Sequence, residues 1–253
     1  MIAKTPDDIA TLREAGKRMA EVVKEVLVQV RPRVPSMELE RVARAATSRV
    51  GAVPSYLGFA GEHGGPAYPA ALCVSVNKEI AHSPPTLGKI LKSGDVVSLD
   101  FGLSYMGYFM DTAYTCAVGS VDVNAKNLID GTREALVAAI AAAQCGGHIG
   151  DIGAAVQAVA KSYGLGVVKD LRGHGVGGAV HELPNVPNFG KAGTGEELVD
   201  GMVLALEPIF AERSGALVDS GDGFTFVTKD GSRAAHFEHT VLITADGTEI
   251  LTA

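Results

Sequence analysis

Along the first thirty residues, apolar side chains recur at helical spacing. Ile9, Leu12, Ala15, Met19, Val22, Val23, Val26 and Val30 fall on one face, with Asp7 and Asp8 near the start and Pro32 past the end. This pattern predicts an amphipathic helix over 5–30. Ser36 offers a cap and Glu38 and Glu40 an acidic first turn, after which Leu39, Val42, Ala43, Ala46 and Val50 continue the helical period to Gly51. Residues 51–70 are rich in Gly and Pro and read as loop, whereas 71–77 and 95–103 are short β-branched runs that read as strands. Residues 108–118 read as a further strand, paired to its predecessor through a Met106-Gly107 hairpin turn. The order then repeats, with an Ala-rich helix at 125–144, a second at 152–163 closed by Gly164, and strand-like segments at 202–210, 224–228 and 234–244.

The repetition is visible in the letters themselves. Gly94-Asp-Val-Val-Ser-Leu-Asp100 aligns with Gly201-Met-Val-Leu-Ala-Leu-Glu207, and His82-Ser-Pro-Pro85 with His181-Glu-Leu-Pro184. The offsets are 107 and 99 residues, close to the 113 that separate Gly51 from Gly164. A duplicated helix-loop-helix-sheet unit follows, an α/β (α+β) architecture whose halves, about 1–120 and 121–253, face each other across a pseudo-two-fold axis. Two copies at so long a period predict one closed domain over 1–253 rather than a solenoid. The functional site is expected where the halves meet.

Composition narrows the classes. With 47% hydrophobic and 20% charged residues, the 253-residue chain reads as an ordinary globular protein. Lys and Arg total 22 against 29 Asp and Glu, and a net charge of −7 is the wrong sign for a phosphate-binding surface, so no direct nucleic-acid partner is expected. The charged first thirty residues lack a signal-peptide core, and no segment approaches the ~20 apolar residues of a membrane span. A cytoplasmic address without membrane attachment is expected. Cys73, Cys116 and Cys145 are odd in number and contain no C-x-x-C pair, which predicts neither a disulfide framework nor a thiolate metal site.

Four carboxylates stand where strands should be buried. Asp100 follows Val-Val-Ser-Leu, Glu207 follows Val-Leu-Ala-Leu, and Asp111 and Glu238 lie inside GYFMDTAYTCAV and AAHFEHTVLIT. An isolated buried carboxylate is costly unless it is paired or bound to metal. The same strands carry almost no Lys or Arg, so divalent metal is the economical counter-charge. His174, among the glycines of GHGVGG, adds an imidazole that little side-chain bulk keeps away from such a cluster. Oxygen-rich ligands with one imidazole suit Mn, Fe, Co or Zn, and the carboxylates suffice to bridge two divalent metal ions, a design suited to hydrolysis.

The ordered contexts SLDF, MDTA, GHGVGGAVHELP, LEPI and FEHT, with His82 upstream, resemble the type I bacterial methionine aminopeptidases over essentially the whole chain. The resemblance implies the pita-bread fold around a central metal site. It implies a hydrolase that removes initiator methionine from nascent proteins when the second residue is small, by attack of a metal-bridging hydroxide on the first peptide bond. It implies that Asp100, Asp111, His174, Glu207 and Glu238 hold the metals, Asp111 and Glu238 bridging, with Glu207 also the general base. By the same resemblance His82 contacts the amide nitrogen beyond the scissile bond and His181 the peptide carbonyl.

Tyr68, Cys73 and Phe224 match positions lining the methionine side-chain pocket, Phe224 standing where bacterial members often carry Trp. The chain departs from the family's pattern at Val180, where a larger aromatic is common, and at Gly65, which takes the place of a usual tyrosine ahead of Tyr68. A reshaped pocket is expected. His236 and His239 are expected on the face opposite Glu238, as structural groups, and His63 and His148 on loops. The implied partners are N-terminal Met peptides of nascent chains and, for that reason, the ribosome, although no basic tail or zinc-finger extension marks a docking segment. The family form is a monomer. The alternatives are an Xaa-Pro aminopeptidase or prolidase, which shares fold and metal cluster but carries an added N-terminal domain, and a non-catalytic pita-bread binding module, which predicts lost ligands.

Overall fold

The computed structural model describes residues 1–61 and 65–253. His63, expected on a loop, lies outside the described residues. Helix α1 spans Pro6–Leu27 and α2 spans Ser36–Arg49. A capping box starts α1, in which the Asp8 amide donates to Thr5 Oγ1 at 3.1 Å and the Thr5 amide to Asp8 Oδ2 at 2.9 Å. Ser36 is not the cap of α2. Pro35 holds that position, and the Ser36 hydroxyl turns to the Thr86 backbone, accepting from its N–H and donating to its carbonyl at 3.0 Å each. The buried Glu40 of α2 accepts from the amides of Ala71 and Leu72 at 2.8 and 3.0 Å, which ties the helix to the first long strand.

The strands of the first half are β1 (Val53–Pro54), β2 (Leu72–Val76), β3 (Glu79–Ala81), β4 (Val96–Tyr105) and β5 (Tyr108–Ala117). β4 and β5 form the expected hairpin, turning at Met106 and Gly107 with φ of 51° and 84°, the left-handed pair of a type I′ turn. The second half runs α3 (Val123–Ala142), α4 (Ile149–Tyr163), β6 (Gly166–Val167), β7 (Arg172–Gly175), β8 (Glu182–Pro187), β9 (Val203–Leu206) and β10 (Ile209–Ala211). It closes with β11 (Leu217–Asp219), β12 (Phe226–Thr228), β13 (Ala234–His236), β14 (Glu238–Thr244) and β15 (Gly247–Ile250). His148 is the N-cap of α4, and Gly164 ends that helix at φ 67°.

Two expected strands, 202–210 and 234–244, are each broken. Pro208 has no amide to donate, so β9 stops at Leu206 and the chain passes into a separate three-stranded sheet, β13-β10-β6. The second break falls at Phe237, whose amide bonds the Pro208 carbonyl at 3.3 Å and locks the two breaks together. Glu207 and Glu238 sit at these two breaks.

The principal sheet has nine strands in the order β1-β4-β5-β14-β9-β7-β8, with β2 on β4 and β15 on β14. Its centre, β4-β5-β14-β9, places each repeat-related pair symmetrically, so the halves meet where β5 pairs with β14. Strand alternation sorts the faces. Val97, Leu99, Phe101 and Leu103 of β4 join the buried cluster that includes Leu12, Met19, Leu39 and Ala46 of α1 and α2, while Asp100 and Gly102 point the other way. α3 and α4 cover the second half in the same manner through Leu128, Ala135, Ile152 and Val156. The helices thus occupy the outer faces and leave the inner face of the central strands to polar side chains.

Candidate metal centre

The topology delivers one metal-ligating residue type per strand. Across β4, β5, β14, β9 and β7 the inner face carries, in order, Asp100, Asp111, Glu238, Glu207 just past the end of β9, and His174. Register brings them level: Ala113 of β5 pairs with Asp100 on one side and Glu238 on the other, and His174 pairs with Ala205. Asp100, Asp111, His174 and Glu238 are buried, and the Glu207 side chain is 12% exposed.

Three groups have ligand atoms within 4.8 Å of one another: Asp100, Asp111 and Glu238; His174, Glu207 and Glu238; and Asp111, His174 and His181. Glu238 belongs to two of them, with one oxygen, Oε1, buried and unpartnered. His174 Nδ1 lies 2.9 Å from the Gly175 carbonyl, which can only accept, so Nδ1 carries the proton and Nε2 presents a lone pair. That lone pair faces Glu207 Oε1 at 3.7 Å and Asp111 Oδ2 at 4.0 Å. Lone pairs converging on lone pairs need a cation between them, and this donor set of carboxylates with one imidazole fits divalent metal.

Burial dominates the protonation of the cluster. It pushes the Asp100 carboxyl up to about 6, against the opposing pull of hydrogen bonds from Tyr56 and Cys73. Burial, then the neighbouring carboxylates, raise Asp111, Glu207 and Glu238 well above the ordinary range. Desolvation moves the imidazoles the other way, bringing His82 and His174 down to about 4. Without a cation, burial therefore favours the neutral form of each of these carboxyls and imidazoles.

The cluster forms the floor of a cleft of about 810 Å³. His82 and His181 line it, His82 at a strained φ of 56° with its ring edge-on to Phe226, and His181 edge-on to His174 with centroids 4.5 Å apart. Tyr68, Cys73 and Phe224 gather at one end of the cleft beside Asp100, Tyr68 standing edge-on to Phe224 at 5.5 Å. The cleft combines an apolar end with a charged floor.

Sequence reasoning missed two residues here and misplaced a third. Tyr56, in the segment read as loop, donates its hydroxyl to Asp100 Oδ1 at 2.6 Å and also contacts Asp111 Oδ1. Phe59 packs its ring edge-on to His181 at 5.5 Å. Gly65 lines the cleft as well, but the backbone pairs Gly58 N–Tyr68 O and Tyr68 N–Phe59 O, both 2.8 Å, bring Phe59 beside Tyr68. Phe59, six residues before Gly65, thus stands beside Tyr68, and Val180 is buried. His236, expected on the far face, instead reaches the cluster, with Nε2 3.6 Å from both Glu207 Oε2 and Glu238 Oε2. Residues two apart on a strand share a face, so parity alone would have placed His236 with Glu238 and His239 away from it. His239 does turn away, to Thr252 Oγ1 at 2.9 Å.

Residues 10–245 match the model of metallopeptidase family M24. The methionine aminopeptidase of Aquifex aeolicus is 44% identical over 249 residues, 97% of this chain and 96% of that protein. The chain belongs to the methionine aminopeptidases of family M24. Its similarity to the methionine aminopeptidase of Clostridium acetobutylicum is 38% identity over 100% of this chain and 98% of that one. The crystal structure of methionine aminopeptidase from Thermotoga maritima superposes with a TM-score of 0.94 at 42% identity, covering 100% of this chain and 99% of that one. Prolidase from Pyrococcus furiosus shares the M24 fold at a TM-score of 0.77 but only 22% identity, with 65% of its length covered. The Xaa-Pro alternative rests on fold alone, and full-length relatives that are methionine aminopeptidases do not favour it.

Proposed function

We infer that the protein is a metal-dependent aminopeptidase that removes the initiator methionine from nascent proteins with a small second residue, acting in the cytoplasm. The observation that carries this reading is the row of five ligating side chains on five adjacent strands, at the floor of a cleft with one apolar end. Two divalent ions, drawn from Co, Mn, Fe and Zn, suit the two groups that share Glu238. Asp100, Asp111 and Glu238 would hold one, and His174, Glu207, Glu238 and Asp111 the other. Bound there, the ions supply Lewis-acid polarisation and lower the pKa of coordinated water.

The protein's own groups do the rest. The methionine side chain enters the apolar end, between Tyr68, Cys73 and Phe224. Glu207, in the second group, takes the proton of the attacking water and passes it to the departing amine, its oxygens being approached only at 3.6–3.7 Å by His236 and His174. His181 donates to the carbonyl oxygen of the scissile bond as charge develops, and His82 contacts the next amide nitrogen. Nascent chains at the ribosome are the matching source of substrate.

The test is release of the first residue from Met-Gly-Ser-Met and from Ala-Pro-Ala by metal-stripped protein, before and after Co²⁺ or Mn²⁺ is restored. Metal-dependent release of methionine alone is the expected result. Cleavage of the Xaa-Pro peptide instead, or no cleavage despite bound metal, contradicts the reading.

A further inference from the structure

The loop between β1 and β2 sends one side chain into the metal cluster. β1 pairs with the outer part of β4, with Val53 opposite Ser104 and Pro54 opposite Leu103, and the Ser55 amide bonds the Gly102 carbonyl at 3.0 Å. Tyr56 follows immediately and lays its ring over Gly102. A Cβ at position 102 would meet Tyr56 Cε1 at 2.5 Å and Ser55 Oγ at 2.3 Å, so the slot exists only because that residue is glycine. Gly102 lies on the same face of β4 as Asp100 and pairs in register with Asp111. The slot therefore aims the phenol between two carboxylates on neighbouring strands, and its hydroxyl meets Oδ1 of both.

We propose that Tyr56 is a positioning residue for the metal centre, its hydroxyl fixing Asp100 and Asp111 relative to each other so that they are set for cation binding. The inference rests on the metalloenzyme reading above. The phenol stands between the two Oδ1 atoms with its single proton shared between them, while Asp111 Oδ2 is the oxygen that faces His174 Nε2 at 4.0 Å. One hydroxyl thus selects which oxygens turn toward the centre and sets the spacing between two strands' ligands. Groups that orient ligands from behind are worth about 10–100-fold in metal affinity.

Calorimetric titration of the metal-free protein with Co²⁺ or Mn²⁺ tests this without turnover. Tyr56→Phe keeps the ring and loses the hydroxyl. It is expected to weaken binding of at least one ion by about 10–100-fold, and to alter the visible absorption of the Co²⁺-loaded protein, which reports ligand geometry. Far-UV circular dichroism of the metal-free variant should match the wild type. Gly102→Ala, which fills the slot and leaves every carboxylate in place, is expected to weaken binding in the same direction. Binding within about twofold of wild type by both variants, with an unchanged Co²⁺ spectrum, overturns the proposal while leaving the metalloenzyme reading intact. A wild-type protein that takes up no ions overturns both.

Discussion

Asp100 and Glu207 occupy the same place in the two repeats, each following a short apolar run that a glycine at positive φ introduces, Gly94 at 98° and Gly201 at 81°, although β4 continues through Asp100 to Tyr105 whereas β9 ends at Leu206. Their surroundings differ. Asp100 is gripped by neutral donors, with Tyr56 at 2.6 Å and the Cys73 thiol from the paired strand β2. Glu207 is approached only loosely, by His174 Nε2 at 3.7 Å and His236 Nε2 at 3.6 Å. The two halves kept the charge and diverged in what holds it. A carboxylate fixed by donors suits ligation, whereas one with room at its oxygens suits moving a proton.

The largest effect should come from the loose side. Glu207→Gln is expected to lower turnover by about 10²–10⁴-fold, the usual worth of a general base, with an unchanged circular dichroism spectrum. Near-normal turnover would remove Glu207 from the mechanism and leave the two carboxylates equivalent. His181→Ala should lower turnover by about 10²–10³-fold at unchanged metal content measured by elemental analysis, and equal loss of both would make it a structural residue.

A third consequence concerns protons. The four acids are raised, Asp100 to about 6, and His174 is lowered to about 4, so over the range in which the carboxyls titrate cations displace protons from them and none from the imidazole. Metal affinity should therefore rise with pH, by about tenfold per pH unit for each proton released. Calorimetry in buffers of different ionisation enthalpy counts those protons, and a pH-independent affinity would contradict the assignment. The smallest effect is expected at Phe59, an aromatic of the first half that buttresses His181 of the second. Phe59→Ala should reduce kcat/KM by about three- to tenfold, as loss of one edge-on ring contact implies, and an unchanged kcat/KM would show that His181 is oriented without it.

The sequence was most legible where it broke its own rules. Acids in apolar strands, repeated between the halves, exposed Asp100, Asp111, Glu207 and Glu238 because nothing in those strands could neutralise them. Helices α1 to α4 were legible from periodicity, although α1 stops at Leu27 rather than Val30. Strands β7 and β8 escaped notice because the glycines of RGHG and the prolines of ELPNVP carry little strand propensity, and pairing holds them in place. Tyr56 and Phe59 lie in a Gly- and Pro-rich stretch without periodicity. Only the pairing of β1 with β4 and the closure of the loop at Gly58, Phe59 and Tyr68 tells where their rings go.

Anomalous diffraction from crystals of the Mn²⁺-loaded protein tests the central claim most directly. The account predicts two peaks, one among Asp100, Asp111 and Glu238 and one among His174, Glu207 and Glu238, with the Tyr56 hydroxyl still on Asp100. Peaks elsewhere on a protein that binds Mn²⁺ stoichiometrically would contradict it.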